Sequence, residues 1–313
     1  MTEAAPGDFR WRAMASPVQL LVPDLPADLG RVLASAVARD LLDSEQAMSR
    51  FWASSDLWRA NSSLGEWVTV PRRLVQALAL AERARRITNG LFDAAVLTTL
   101  EAYGYPGAPL PASQYQPPNG ARVRLAPRQG LARLEQPIDL GGIGKGLALR
   151  WAGRIASEQT QTFLLNAGGD IVMKGGGGDG AGWLVGVEDP FDLAAVRAVL
   201  RLSGDLACCT SSLARRRWLR EGRQVHHLID PRTQQPAEVD LMAVTVVGPD
   251  PAWAEVYSKV LFMHGSDAIA ERAGQWAVLW IDAEGRIGWT EAMQPLIAAL
   301  SPVPKPEASL PPG

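Results

Sequence analysis

Two stretches of this chain carry residue types whose spacing suits chemistry. The first is Asp139-Leu-Gly-Gly-Ile-Gly-Lys-Gly146. It reads as the end of a short strand (Ile138 and Leu140 flanking an inward-pointing Asp139), a glycine turn, and the start of a helix. Glycines so dense leave room for a ligand to approach the backbone closely. Leu147 to Ala156 has helical spacing, so free amides at that helix's N-terminus would face the turn and favour phosphate. A tight turn with only a helix-capping role is the alternative. Two familiar nucleotide loops are excluded by spacing. A G-x-x-x-x-G-K-[ST] loop needs glycine where Asp139 stands and Ser or Thr where Gly146 stands. A G-x-G-x-x-G fingerprint needs glycine at Leu147.

The second stretch is Val225-His-His-Leu-Ile-Asp-Pro-Arg-Thr233. Strand alternation sends His226 and His227 to opposite faces, so they cannot form a metal pair. One histidine acting as general acid or base is the reading that remains. Lesser candidates surround these. Met48 to Ser62 mixes Phe51, Trp52 and Trp58 with hydroxyls and an amide, which suits either stacking on a planar ligand or an ordinary surface loop. Asn166 and Asp170 flank a glycine turn between two strands. Glu255 and Lys259 share a helix face at i, i+4 and read as an exposed ion pair. Arg215 to Arg220 reads as a solvated or phosphate-facing edge. With a net charge of −2, the chain is not expected to bind nucleic acid.

The elements that must position these residues are legible from pattern. Pro17 to Val22 suits a strand, and Asp28 to Ala47 a helix. A second helix runs from Val70 to about Arg86, and a short one from Ala94 to Ala102 with Asp93 as its cap. Phe92 anchors the turn before it. Tyr103 to Asn119, rich in proline and glycine, reads as an irregular crossing, followed by a strand at Arg122 to Leu125. Further strands are expected at 162–166, 170–173, 183–190 (ending in an acidic turn), 195–202 and 205–210. Gly175 to Gly182 is read as a hairpin loop. Next come a buried strand at Leu241 to Val247, helices at Pro251 to Met263 and Ser266 to Gly274, and a hairpin at 276–289. This order, with no repeating βαβ unit, predicts an α+β fold of mostly antiparallel sheets flanked by helices. Residues 1–13 are expected to form a flexible arm, 14–300 a single domain, and 301–313 a disordered tail.

Composition sets the bounds. The chain has 313 residues and 47% hydrophobic content, enough for a large core. Its two cysteines, Cys208 and Cys209, are adjacent, so no disulfide framework is expected. No run of about eighteen apolar residues marks a membrane span. The start shows no export signal and no lipid-bearing cysteine, so a cytoplasmic location is expected.

Taken together and in order, the motifs resemble the FAD:protein FMN transferase family, often called the ApbE family. Met14-Ala-Ser16 stands where that family has Met-Gly-Thr, and Ser55-Asp-Leu-Trp-Arg-Ala-Asn61 resembles its Ser-Glu-Leu-x-x-x-Asn. Thr88-Asn-Gly-Leu-Phe-Asp93 resembles Gly-x-Phe-Asp. The glycine turn is close to Asp-Leu-Gly-Gly-Ile-Ala-Lys-Gly. Asn166-Ala-Gly-Gly-Asp170 corresponds to Asn-x-Gly-Gly-Asp, and His226 to Thr233 to His-His-Ile-Ile-Asp-Pro-x-Thr.

The resemblance implies an ApbE-like fold and an enzyme that transfers FMN from FAD to a threonine hydroxyl of an acceptor flavoprotein, releasing AMP, with Mg²⁺. It implies flavin-nucleotide contacts at Met14, Phe51, Trp52, Ser55, Asn61, Asp93, Asp139, Gly142, Lys145, Asn166, Asp170, Thr210, Ser211 and His227. His227 and Asp230 are implied at the chemistry, and Gly144, Glu255 and the place of Lys259 at the metal. The chain departs from the family where Ala254-Glu-Val-Tyr-Ser-Lys259 replaces Ala-Asp-Ala-Leu-Ser-Thr, and where Ser212 replaces a glycine. An ammonium at Lys259 is not a ligand and could occupy the cation's place. A flavin-binding protein of the same fold that has lost transfer is therefore the alternative.

Overall fold

The computed structural model describes residues 1–5, 7–116 and 122–301. The chain opens with strands β1 (Thr2–Ala5), β2 (Asp8–Ala13) and β3 (Ser16–Leu21), then helix α1 (Ala27–Met48). Next come α2 (Asp56–Asn61), β4 (Val68–Thr69), α3 (Arg72–Ile87) and α4 (Leu97–Ala102). Strands β5 (Val123–Ala126) and β6 (Leu131–Leu134) precede α5 (Gly144–Gln159). Strands β7 (Phe163–Ala167), β8 (Asp170–Lys174), β9 (Trp183–Glu188), β10 (Val196–Leu202) and β11 (Leu206–Ser212) follow. A hairpin, β12 (Arg217–Arg220) and β13 (Arg223–His226), leads to the short strands β14 (Ile229–Asp230) and β15 (Gln235–Pro236). The chain finishes with β16 (Leu241–Gly248), α6 (Pro251–Phe262), α7 (Ser266–Arg272), β17 (Ala277–Asp282), β18 (Ile287–Trp289) and β19 (Ile297–Leu300).

A nine-stranded sheet, ordered β1-β2-β3-β7-β8-β11-β16-β17-β18, forms the middle layer. Every pairing in it is antiparallel. Helices cover one face. On α1, Leu33, Val37 and Leu41 recur at helical spacing and are fully buried with Leu20, Ala148, Ala152 and Leu165. Burying each such side chain stabilises the fold by about 1.5–3 kcal/mol. Helix α6 packs Leu261 and Phe262 against Val244 and Val246 of β16. On the other face, a three-stranded sheet, β19-β10-β9, buries Val185 and Leu200 against Ile171 and Leu279. The result is a three-layer α+β architecture, as the element order predicts.

Several boundaries differ from expectation. The N-terminal residues are not a loose arm. Strand β2 pairs with β3 from Asp8↔Leu21 to Ala13↔Ser16, and Phe9 is fully buried. The alternation of Phe9 and Trp11 with charged residues was the signal for this strand. Residues 138–140 form no strand. Their backbone is held instead by the Asn61 side chain, which donates to the Ile138 carbonyl (2.9 Å) and accepts from its amide (2.8 Å). Asp93 caps a turn rather than α4, accepting from the Ala95 amide two residues before that helix begins. The expected tail lies outside the described residues apart from Ser301, as do residues 117–119 of the irregular crossing.

Candidate functional site

The glycine turn is built around packing between helices more than around a ligand. A Cβ on Gly146 would lie 2.4 Å from the Pro251 carbonyl oxygen, so this glycine lets α5 touch the first turn of α6. A Cβ on Gly142 would meet the Phe92 ring at 2.9 Å and Lys259 Cδ at 3.3 Å. The helix N-terminus expected to face a phosphate already holds an anion. Glu255 on α6 is fully buried and accepts from the Gly146 amide at 2.8 Å. A carboxylate there is stabilised by the positive end of the helix.

Beside that contact lies a buried charge cluster. Lys145 is bonded to the Asp170 carboxylate, whose other oxygen accepts from the Thr210 amide. Burial works against the Lys145 ammonium, but Asp170 and Glu255 outweigh it and raise its pKa. Lys259 Nζ lies 3.5 Å from Glu255 Oε1, an oxygen that accepts no hydrogen bond. Burial raises the Glu255 pKa, and Lys259 opposes the rise. The pair is thus inside the protein, not on its surface as the i, i+4 spacing alone suggests. Ser211 and Ser258 join β11 to α6 through their hydroxyls at 2.7 Å, and Thr210 meets the Thr245 hydroxyl at 2.9 Å.

Lys259 also lines a cleft. Its apolar wall includes Phe51, Leu91, Phe92, Tyr105 and Met263, and its polar groups are Asp93, Asp139, Arg216, His227 and Lys259. The cleft therefore gathers Phe51, Asp93, Asp139, Gly142, His227 and Lys259 from five separated segments. Asp139 and Asp93 are already matched. Arg50 Nε lies 2.6 Å from Asp139 Oδ2, and Arg122 Nε lies 3.1 Å from Asp93 Oδ2. Sequence reasoning missed Arg50. It is buried, and its guanidinium stacks 4.6 Å from the Phe51 ring and 4.7 Å from the Tyr105 ring, stiffening the aromatic wall. Only its position beside the aromatic loop hinted at this. Arg216 was hidden in a run read as a solvated or phosphate-facing edge.

His227 follows directly after β13 and is half-buried. Its Nδ1 lies 3.3 Å from the Arg216 carbonyl. A carbonyl can only accept, so this contact is a hydrogen bond in the tautomer that carries the proton on Nδ1 and leaves the Nε2 lone pair open. Burial first, then the Arg216 and Lys259 cations, push the His227 pKa well below its ordinary value. The imidazole is therefore neutral near pH 7 and able to take a proton. His226 is a structural group: its Nε2 lies 3.1 Å from the Ala237 carbonyl.

Other residues implied by the resemblance serve the frame around the cleft. Ser55 caps α2 by accepting from the Trp58 amide at 3.0 Å. The Met14 amide donates to Glu45 at 2.8 Å, and Met14 itself has a left-handed φ of 52°. Asn166 closes its turn on the Gly169 amide at 2.9 Å. Asp230 accepts from Arg232 Nη2 at 2.7 Å, which lowers its pKa, and Ile229 and Pro231 rather than Asp230 line the cleft. Trp52 is partly exposed outside the cleft wall, and Trp58 donates to the Pro109 carbonyl at 3.2 Å.

The Mg²⁺ implied by the resemblance does not fit this donor set. Each of the two carboxylates, Asp170 and Glu255, has a lysine beside it. No group of three or more His, Cys, Asp or Glu side chains able to hold a metal occurs among the described residues. Gly144, the first residue of α5, has only its main-chain carbonyl to offer.

This arrangement of sheets and helices is shared with known proteins. The ApbE family model matches residues 14–280, and the chain belongs to that family. It is 26% identical over 296 residues to the FAD:protein FMN transferase of Escherichia coli K12, covering 88% of this chain and 82% of that protein. A protein of the same name from Rhodobacter capsulatus is 29% identical over 266 residues, covering 80% of this chain and 50% of its own length. The ApbE protein of Thermotoga maritima superposes with a TM-score of 0.80 at 24% identity, covering 92% of this chain and 98% of that one. The flavin transferase ApbE of Vibrio cholerae gives 0.75 at 22% identity, with the same coverage of each chain.

Proposed function

We propose that this chain is an FAD:protein FMN transferase acting on a threonine hydroxyl of an acceptor protein. The observation that carries the proposal is the placement of His227, with Nδ1 against the Arg216 carbonyl, in a cleft that also holds Arg216 and Lys259. In the reaction, the threonine oxygen attacks the phosphorus on the FMN side of the FAD pyrophosphate. The bond from that phosphorus to the bridging oxygen breaks, and AMP leaves. The threonine proton passes to His227 Nε2. The product is a phosphodiester joining FMN to the acceptor. Fixing both reactants in the cleft removes much of the entropic barrier, and cations beside the pyrophosphate stabilise charge on the departing phosphate. The names of the relatives and the wall formed by Phe51 and Tyr105 support a flavin as the occupant.

The lysine beside Glu255 favours a second reading, a flavin-binding protein without transfer. The two are separated by incubating the protein with FAD and a threonine-bearing acceptor and quantifying AMP by chromatography. AMP that appears only with acceptor, and is lost in His227→Asn, supports the transferase. Bound FAD without AMP supports the second reading.

A further inference from the structure

Two cations in the cleft are arranged for an anion. Arg216 makes no ion pair among the described residues, whereas the lining carboxylates Asp93 and Asp139 are both taken by other arginines. Lys259 runs along the glycine turn, where the absence of a Cβ on Gly142 gives its aliphatic stem room. The Lys259 ammonium reaches the Glu255 carbonyl at 3.4 Å, which leaves further N–H donors for a ligand. An arginine and a lysine in an aromatic-walled cleft can meet a diphosphate in complementary ways, one through a planar fork and the other as a point charge. A divalent ion would instead enter among two ammonium groups and carboxylates already matched to them.

We infer that Arg216 and Lys259 hold the pyrophosphate of the flavin dinucleotide, so that the dinucleotide binds here without a divalent cation. The inference rests on the flavin reading of the cleft and replaces an external ion with the chain's own side chains. The pyrophosphate meets the Arg216 guanidinium and the remaining N–H donors of the Lys259 ammonium, which Glu255 keeps oriented.

The test measures binding of FAD and of riboflavin, which has no phosphate, to the purified protein by flavin fluorescence, in EDTA and in Mg²⁺. Wild-type FAD affinity should agree within about twofold in the two buffers. Replacing Arg216 by Gln should weaken FAD about ten- to a hundredfold, the loss expected for a charged hydrogen bond, and leave riboflavin unchanged. Lys259→Thr should weaken FAD in EDTA and make its binding respond to Mg²⁺. Mg²⁺ tightening wild-type FAD binding tenfold or more would overturn the inference while keeping the flavin reading, as would equal losses of FAD and riboflavin in Arg216→Gln. Failure of both flavins to bind the wild type in either buffer would overturn the flavin reading and the inference with it.

Discussion

At the scale of single residues, His227 shows how surroundings set chemistry. Burial and two neighbouring cations disfavour the imidazolium, so the acid limb of the transfer rate should lie below the ordinary histidine value near 6.5. Arg216→Gln removes one cation, which favours the charged form and should move that limb to higher pH, as a pH-rate profile would show. The same shift affects stability. The unfolded chain takes up the proton near pH 6.5 and the folded chain only below that, so this group's contribution to stability falls as pH drops through that window. Asn61 illustrates a role that the sequence concealed. Its amide reads as a ligand-binding group, yet both of its functions are spent on the Ile138 backbone, 77 residues away. Asn61→Ala should destabilise the protein by about 2–4 kcal/mol, because two buried backbone groups lose their partners. A urea titration would measure this, and a change below the usual scatter of surface substitutions would contradict it. Strand alternation limited the chemistry to one of the two adjacent histidines, and the resemblance rather than the spacing pointed to His227. Arg216 was not, because an arginine run carries no periodicity that marks the one pointing into a cleft.

At the scale of elements, the long helices were the most readable part, whereas α2 lies inside a stretch read as a loop. The spacing of Leu33, Val37 and Leu41 locates α1 to within a residue or so of its observed ends. The contact between α5 and α6 was hidden, although its residues were conspicuous. The dense glycines suggest a ligand, but Gly146 serves helix approach. Gly146→Ala should therefore lower stability by about 1–3 kcal/mol through overpacking against Pro251. Thermal denaturation would show the loss, and an unchanged melting temperature would contradict the close approach. The Glu255 bond to the Gly146 amide joins the same helices, and its geometry depends on residues 109 apart. Local pattern gives each helix its buried face but not the partner that the face meets.

At the scale of the whole molecule, the antiparallel α+β class follows from element order, whereas the strand order does not. Strand β3 pairs with β7 across Val18↔Ala167, and β10 with β19 across Ala198↔Leu300, contacts between distant parts of the chain. The N-terminal strands belong to this sheet. Phe9 packs under α1, where a Cβ on Gly30 would lie 3.0 Å from its ring. Phe9→Ala should cost about 3–5 kcal/mol, as expected for emptying a buried aromatic site. A flexible arm would show no such loss in a denaturant titration. Of the cleft's charged groups, Lys259 stands on α6, whereas Asp93, Asp139, Arg216 and His227 lie in the turns and connections that the sheet and helices bring together. Among the described residues no helix is long and apolar enough to cross a membrane.

The most direct measurement of the central claim is the intact mass of a threonine-bearing acceptor after incubation with FAD and this protein. Addition of one FMN less a water, abolished in His227→Asn and by replacing the acceptor threonine with alanine, is the predicted result. An acceptor of unchanged mass beside a protein that binds FAD tightly would contradict the transferase reading.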